Sequence, residues 1–133
     1  IDTEKYLIVD DCYNANPMSM KASLDVLKDA SGRKVAILGD MGELGEDEVA
    51  LHEGVGSHAA KCGIDLLICC GSLSGYMAQK AKQDNPSLDV IYEPDREALI
   101  SKIGSYVKEG DTILVKASHF MHFEELVNKL QKV

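Results

Sequence analysis

Basic residues are in short supply. Fourteen Lys and Arg stand against 22 Asp and Glu, a formal net charge of −8. No basic face is available to track a phosphate backbone, so a nucleic-acid reader is excluded. The four cysteines contain no C-x-x-C spacing, so no disulfide framework is expected. Cys69-Cys70 lies in an apolar run, where free cysteine behaves as a small buried hydrophobe. This usage fits a reducing, cytoplasmic compartment. The longest apolar run is five residues, Leu66 to Cys70, against about 20 for a membrane-spanning helix. Neither G-x-G-x-x-G nor G-x-x-x-x-G-K-[ST] occurs, so no dinucleotide fingerprint and no Walker A phosphate cradle is present. Repeats, linkers and low-complexity stretches are missing too. The first residues, Ile1-Asp2-Thr3-Glu4-Lys5, have neither an initiator Met nor a signal-peptide profile. They read as a cut end, with a longer protein expected around it.

What is present is an ordinary globular balance, 45% hydrophobic and 27% charged over 133 residues. That length folds as a single domain and buries about two thirds of its unfolded surface. Five short apolar runs punctuate it: Tyr6-Leu7-Ile8-Val9, Val35-Ala36-Ile37-Leu38, Leu66-Leu67-Ile68-Cys69-Cys70, Val90-Ile91-Tyr92 and Ile113-Leu114-Val115. Without period-2 alternation, they predict strands buried on both faces of a parallel sheet.

Helical patterns follow each run. The first has Asn16 as N-cap and Pro17 at the first helical position, with Met20, Leu24 and Leu27 along one face and Gly32 beyond the end. The others are expected at about 46–61, 73–83, 95–107 and 120–132. Gly54 and Gly56 inside the second cost about 1 kcal/mol each relative to Ala, which points to close packing or irregularity there. The alternation predicts a three-layer, Rossmann-like doubly wound α/β domain, its mostly parallel sheet of about five strands flanked by helices.

Ligands of such sheets bind outside the strands' carboxyl ends. There the sequence sets Asp10-Asp11-Cys12-Tyr13-Asn14-Ala15-Asn16-Pro17, then Gly39-Asp40-Met41-Gly42-Glu43-Leu44-Gly45, Gly71-Ser72, Glu93-Pro94-Asp95, and Lys116-Ala117-Ser118-His119. Asp11 reads equally as a plain strand end and Asn16 as a plain cap. The glycine-spaced second loop could be a simple turn. His119 and His122 lack a cysteine or second carboxylate at ligand spacing, and His52 and His58 do not share a helix face, so no metal site is expected. The first loop says more as a unit. A strand-end carboxylate accepts hydrogen bonds from sugar hydroxyls or an ammonium group, and a helix N-terminus beside it suits an anion. Together they fit a nucleotide ribose or a small zwitterion.

Two resemblances arise. Five βα units, an acidic pair after the first strand and Lys116 after the last are similar to a signalling receiver domain. The third strand, however, ends in Cys69-Cys70 where that family needs a phosphoacceptor Asp. The second resemblance rests on D-x-Y-N-A-N-P, here Asp11 to Pro17, followed by Gly39-Asp40-Met41-Gly42-Glu43-Leu44-Gly45. This pair resembles the C-terminal domain of a Mur ligase. Leu51-His52, Val55-Gly56 and Val115-Lys116-Ala117-Ser118 follow in the family's order, so the likeness runs through essentially the whole chain. The departure is His119, where the pattern has arginine.

The Mur ligase resemblance implies an ATP-dependent, amide-forming ligase of peptidoglycan precursor synthesis. A UDP-MurNAc-tripeptide carboxylate is activated by ATP as an acyl phosphate, and the amine of D-Ala-D-Ala attacks it. It implies that residues 1–133 are one domain of a three-domain enzyme, with the P-loop and Mg2+ ligands in a central domain and the UDP-sugar site in an N-terminal one. This domain would then close over the central one, carry no catalytic residue and be inactive alone. Asp11 would bind the ATP ribose, and Asn14 and Asn16, counted with it toward the nucleotide, would help shape the dipeptide or acyl-phosphate site at the helix N-terminus. Asp40 would take the dipeptide ammonium, Ser118 and His119 its carboxylate, and Tyr13 would orient the loop or pack beneath it. Nothing in the sequence demands more than a monomer.

Overall fold

The computed structural model describes residues 1–11 and 14–133. Among them five strands form one sheet: β1 (Leu7–Asp11), β2 (Lys34–Gly39), β3 (Leu66–Cys70), β4 (Asp89–Glu93) and β5 (Thr112–Lys116), in the order β1-β5-β2-β3-β4. Every pairing is parallel, with Asp11 beside Lys116 and Lys116 beside Leu38 in register. The connecting helices are α1 (Pro17–Lys28), α2 (Glu48–Lys61), α3 (Ser74–Asp84), α4 (Arg96–Tyr106) and α5 (Glu124–Leu130).

The chain crosses the sheet in one direction from β1 to β4, then returns to insert β5 between β1 and β2. Right-handed crossovers therefore put α1, α2 and α3 on one face and α4 on the other, where α5, following the last strand, packs beside it. The two halves of the core follow that division. Met20, Leu24, Val55, Ala59, Met77 and Ala81 pack on Ala36, Leu38, Leu67 and Leu114. On the far face Leu99, Ile103, Phe123 and Leu126 pack on Ile37, Ile68, Ile113 and Val115. The doubly wound expectation holds. The receiver likeness does not, because that family's strand order is 2-1-3-4-5 and here the last strand is interior.

Three further expectations need correction. Burial on both faces applies to the three inner strands only. The edge strand β1 leaves Leu7 and Val9 exposed, and β4 at the other edge is only partly covered. The second helical pattern divides into a 3-10 turn, Gly45–Asp47, before α2. The fifth divides likewise: a 3-10 turn at His119–Met121 ends at His122, whose φ of 52° is left-handed and cannot continue a right-handed helix, so α5 starts only at Glu124.

The first helix forms as its sequence predicts. Asn16 Oδ1 accepts from the Ser19 N–H at 2.9 Å, and Ser19 Oγ accepts from the Asn16 N–H at 3.0 Å, a reciprocal capping box ahead of Pro17. In α2 the two glycines differ. A Cβ at Gly56 would lie 2.2 Å from the Met77 carbonyl oxygen, so α2 and α3 cross at backbone distance there, whereas Gly54 faces only Lys21 Nζ at 3.8 Å. No helix among the described residues is long and apolar enough to cross a membrane.

Candidate functional site

The strand order places the site. The connections after β1 and β2 leave toward one face, and the segment after β5, lying between them, leaves toward the other. A crevice opens where they part, at the carboxyl ends of these three strands. The described residues entering it are 14–16, 40–44 and 117–122.

At its base stands Lys116. Its side chain is 2% exposed, and its Nζ pairs with the Asp11 carboxylate, itself 46% exposed, and donates to the Asn14 carbonyl at 3.3 Å. Ser23 on α1 approaches the same Asp11 oxygen at 3.5 Å. A buried ammonium needs such partners, and the pairing fixes a strand-end carboxylate with one side open to solvent. Sequence reasoning assigns Lys116 no task in the site. The available signal is a lysine closing an otherwise apolar strand.

Ser118 joins two loops. Its Oγ accepts from the Gly42 N–H at 2.8 Å and donates to the Ala15 carbonyl at 3.4 Å, while its own N–H donates to the Asp40 carbonyl at 3.2 Å. Beyond it Phe120, 56% exposed, lies over Gly42, where a Cβ would meet the ring at 2.9 Å. Asn14, Gly42, Glu43, Ser118, His119 and Phe120 together line a pocket of about 330 Å³. Glu43 is exposed and left-handed, with φ 59°, a conformation that costs a non-glycine residue energy and clusters at functional sites. A wider depression of about 610 Å³ lies at the opposite end of the sheet, against Arg33, Asp65 and Asp89, away from the strands' carboxyl ends.

The expected residues are thus distributed unequally. Asn14, Ser118 and His119 meet in one pocket, and Asp11 adjoins it through Lys116. Asn16 sits at the start of α1 with its side-chain oxygen engaged in the capping box. Asp40 is 5% exposed and lies beneath the rim. Its Oδ1 accepts from the Ser74 N–H at 2.8 Å and the Ser74 hydroxyl at 2.7 Å, and its Oδ2 from the Leu73 N–H at 3.3 Å. The carboxylate therefore caps α3 across the loop, at the positive end of that helix. Gly71, with φ 114°, makes room for it, since a Cβ there would fall 2.5 Å from the carboxylate. Tyr13 lies outside the described residues.

The thiols behind Asp40 are inert. Burial, reinforced by the negative charges of Asp40 and Asp95, pushes Cys70 up to about 12. Burial raises Cys69 as well, so neither supplies a thiolate nucleophile. What the site can do is bind. It offers a half-exposed carboxylate beside a buried cation, and next to it a pocket with amide, hydroxyl, imidazole and carboxylate groups and one aromatic wall.

A family model described as Mur ligase, glutamate ligase domain matches residues 1–119. The UDP-N-acetylmuramoyl-tripeptide–D-alanyl-D-alanine ligase of Escherichia coli strain K12 is 36% identical over 131 residues, which cover 97% of this chain and 28% of that protein. Among solved structures, MurF from Acinetobacter baumannii matches with a TM-score of 0.84 at 32% identity, over 100% of this chain and 30% of that one. MurF ligase from Thermotoga maritima in complex with ADP gives 0.80 at 27% identity, over 99% of this chain and 29% of that one. The chain spans little more than a quarter of the length of the curated relatives it matches. The chain belongs to the Mur ligase family.

Proposed function

We propose that this Mur ligase domain serves an ATP-dependent enzyme that joins D-Ala-D-Ala to UDP-MurNAc-tripeptide, by completing the nucleotide site and holding the dipeptide. The observation that carries the reading is the pairing of Asp11 with buried Lys116 directly beside the pocket of Asn14, Gly42, Glu43, Ser118, His119 and Phe120. A carboxylate held in this way suits the vicinal hydroxyls of a ribose. The adjoining pocket, small and mixed in polarity, suits a dipeptide zwitterion. When bound, ATP supplies activation of the tripeptide carboxylate, and Mg2+ is assigned with it to the central domain of the full-length enzyme.

The chain's own residues bind, orient and exclude water. Lys116 keeps Asp11 turned toward the ribose. Ser118 and His119 face the dipeptide carboxylate, His119 adding charge only when protonated, and Asn14 with the start of α1 beside Asn16 borders the reacting carboxyl. The dipeptide ammonium falls to the wall that carries Glu43, because the Asp40 carboxylate is taken up by α3. Asp40 then acts on that wall from beneath, by fixing the loop. A domain of this kind contributes to rate through positioning and closure. Among the described residues we assign none a catalytic role, and the domain by itself is expected to be inactive. We place it in the cytoplasm, where ATP and UDP-linked precursors are found, as a monomeric chain.

The reading is tested by Asp11→Asn in the full-length enzyme, a change that keeps an acceptor for Lys116. The ATP KM is expected to rise by about tenfold, the loss of one charged hydrogen-bonding group, with the D-Ala-D-Ala KM little altered. An unchanged ATP KM would remove Asp11 from the nucleotide site.

A further inference from the structure

His52 is fully buried on the second turn of α2, and neither the nucleotide site nor the dipeptide pocket makes use of it. Its Nδ1 lies 2.7 Å from the Glu48 carbonyl oxygen, and its Nε2 lies 3.0 Å from the Met41 backbone nitrogen. A carbonyl only accepts and a backbone N–H only donates. The partners therefore dictate one tautomer, with the proton on Nδ1 and Nε2 bare.

The bond to Met41 falls at a sensitive place. Three successive residues of one loop are each tied to a different element. The Asp40 carboxylate goes to the start of α3, the Met41 N–H to His52 on α2, and the Gly42 N–H to Ser118 after β5. The next residue is Glu43 with its left-handed φ of 59°. Such a conformation persists in a non-glycine residue only when its surroundings over-determine it. Of the three partners only Ser118 lines the pocket itself; Ser74 and His52 hold the loop from α3 and α2, outside it.

We propose that His52 is a positioning residue for the pocket: by accepting the Met41 N–H it fixes the turn at Glu43 and so the wall presented to the dipeptide. The inference rests on the dipeptide reading of this pocket. Its role is indirect, since His52 touches no ligand.

The test compares His52→Met with His52→Gln in the full-length enzyme. Methionine fills the volume but leaves the Met41 N–H unpaired, while the glutamine amide oxygen can reach the Nε2 position. His52→Met is expected to raise the D-Ala-D-Ala KM about tenfold with the ATP KM unchanged, and His52→Gln to recover most of that loss. Glu43→Gln, measured in parallel, separates the two ideas. If Glu43→Gln raises the dipeptide KM and His52→Met lowers only the melting temperature, the positioning role is overturned and the pocket reading stands. If neither variant moves the dipeptide KM, the pocket reading itself fails. Nitrogen NMR of the unaltered protein gives a readout independent of folding in the variants. A protonated Nδ1 and bare Nε2 are expected at His52, and an Nε2–H tautomer would overturn the proposal.

Discussion

Lys116 and Asp40 are both charged and both nearly inaccessible, at 2% and 5% exposure. One ends a strand and the other follows one, yet position alone makes Asp40 a ligand candidate and passes over Lys116. The reason is that place relative to a strand fixes where a residue lies but not which way its side chain turns. Asp40 turns inward because the N-terminus of α3 offers it two N–H groups and the Ser74 hydroxyl. Its removal leaves those donors buried and unpaired. Asp40→Ala is therefore expected to destabilise the domain by about 1–3 kcal/mol, measured by urea unfolding, and Asp40→Asn by less, because an acceptor remains. Equal losses for the two would show that the carboxylate's hydrogen bonds are not what the loop depends on. Asn14, Ser118 and His119 are legible as lining residues of the candidate pocket because each lies on a loop next to β5, where the sheet leaves a crevice whichever rotamer each adopts.

At the scale of elements, the apolar runs and the capping signals of α1 are enough to place strands and helices, and most ends agree within a residue or two. The failures have local causes. His122 takes a left-handed conformation that its residue type does not announce, and α5 is shortened by it. The exposure of β1 depends on its being an edge strand, which no pattern within Leu7–Asp11 encodes. The glycines of α2 are the instructive pair, since both cost the same in helix propensity. Only Gly56 meets a neighbouring backbone, where an added Cβ would come within 2.2 Å of the Met77 carbonyl oxygen. Gly56→Ala is expected to separate α2 from α3 and lower stability by about 1–3 kcal/mol. Gly54→Ala, with only the flexible end of Lys21 nearby, is expected to raise it by up to about 1 kcal/mol. Thermal unfolding of the two variants checks both signs. A stabilised Gly56→Ala would mean that the helices do not cross at backbone distance.

At the scale of the whole molecule, function follows from one topological fact. Inserting β5 between β1 and β2 brings Asp11, Gly42 and Ser118, from three distant parts of the chain, to one crevice. Five βα units are equally compatible with a receiver-type order, so this insertion cannot be read from periodicity. It is reachable only through the paired motifs at Asp11 to Pro17 and Gly39 to Gly45. Among the described residues the buried thiols of Cys69 and Cys70 supply no thiolate to the crevice, in keeping with the proposal of a binding domain that closes on the rest of a ligase. The central claim is that this pocket holds the dipeptide. Steady-state kinetics of Ser118→Ala in the full-length enzyme, with D-Ala-D-Ala titrated at saturating ATP, test it most directly. The expected result is a dipeptide KM raised on the order of tenfold, with the ATP KM within about twofold of the unaltered enzyme. An unchanged dipeptide KM, or an effect confined to ATP, would contradict it.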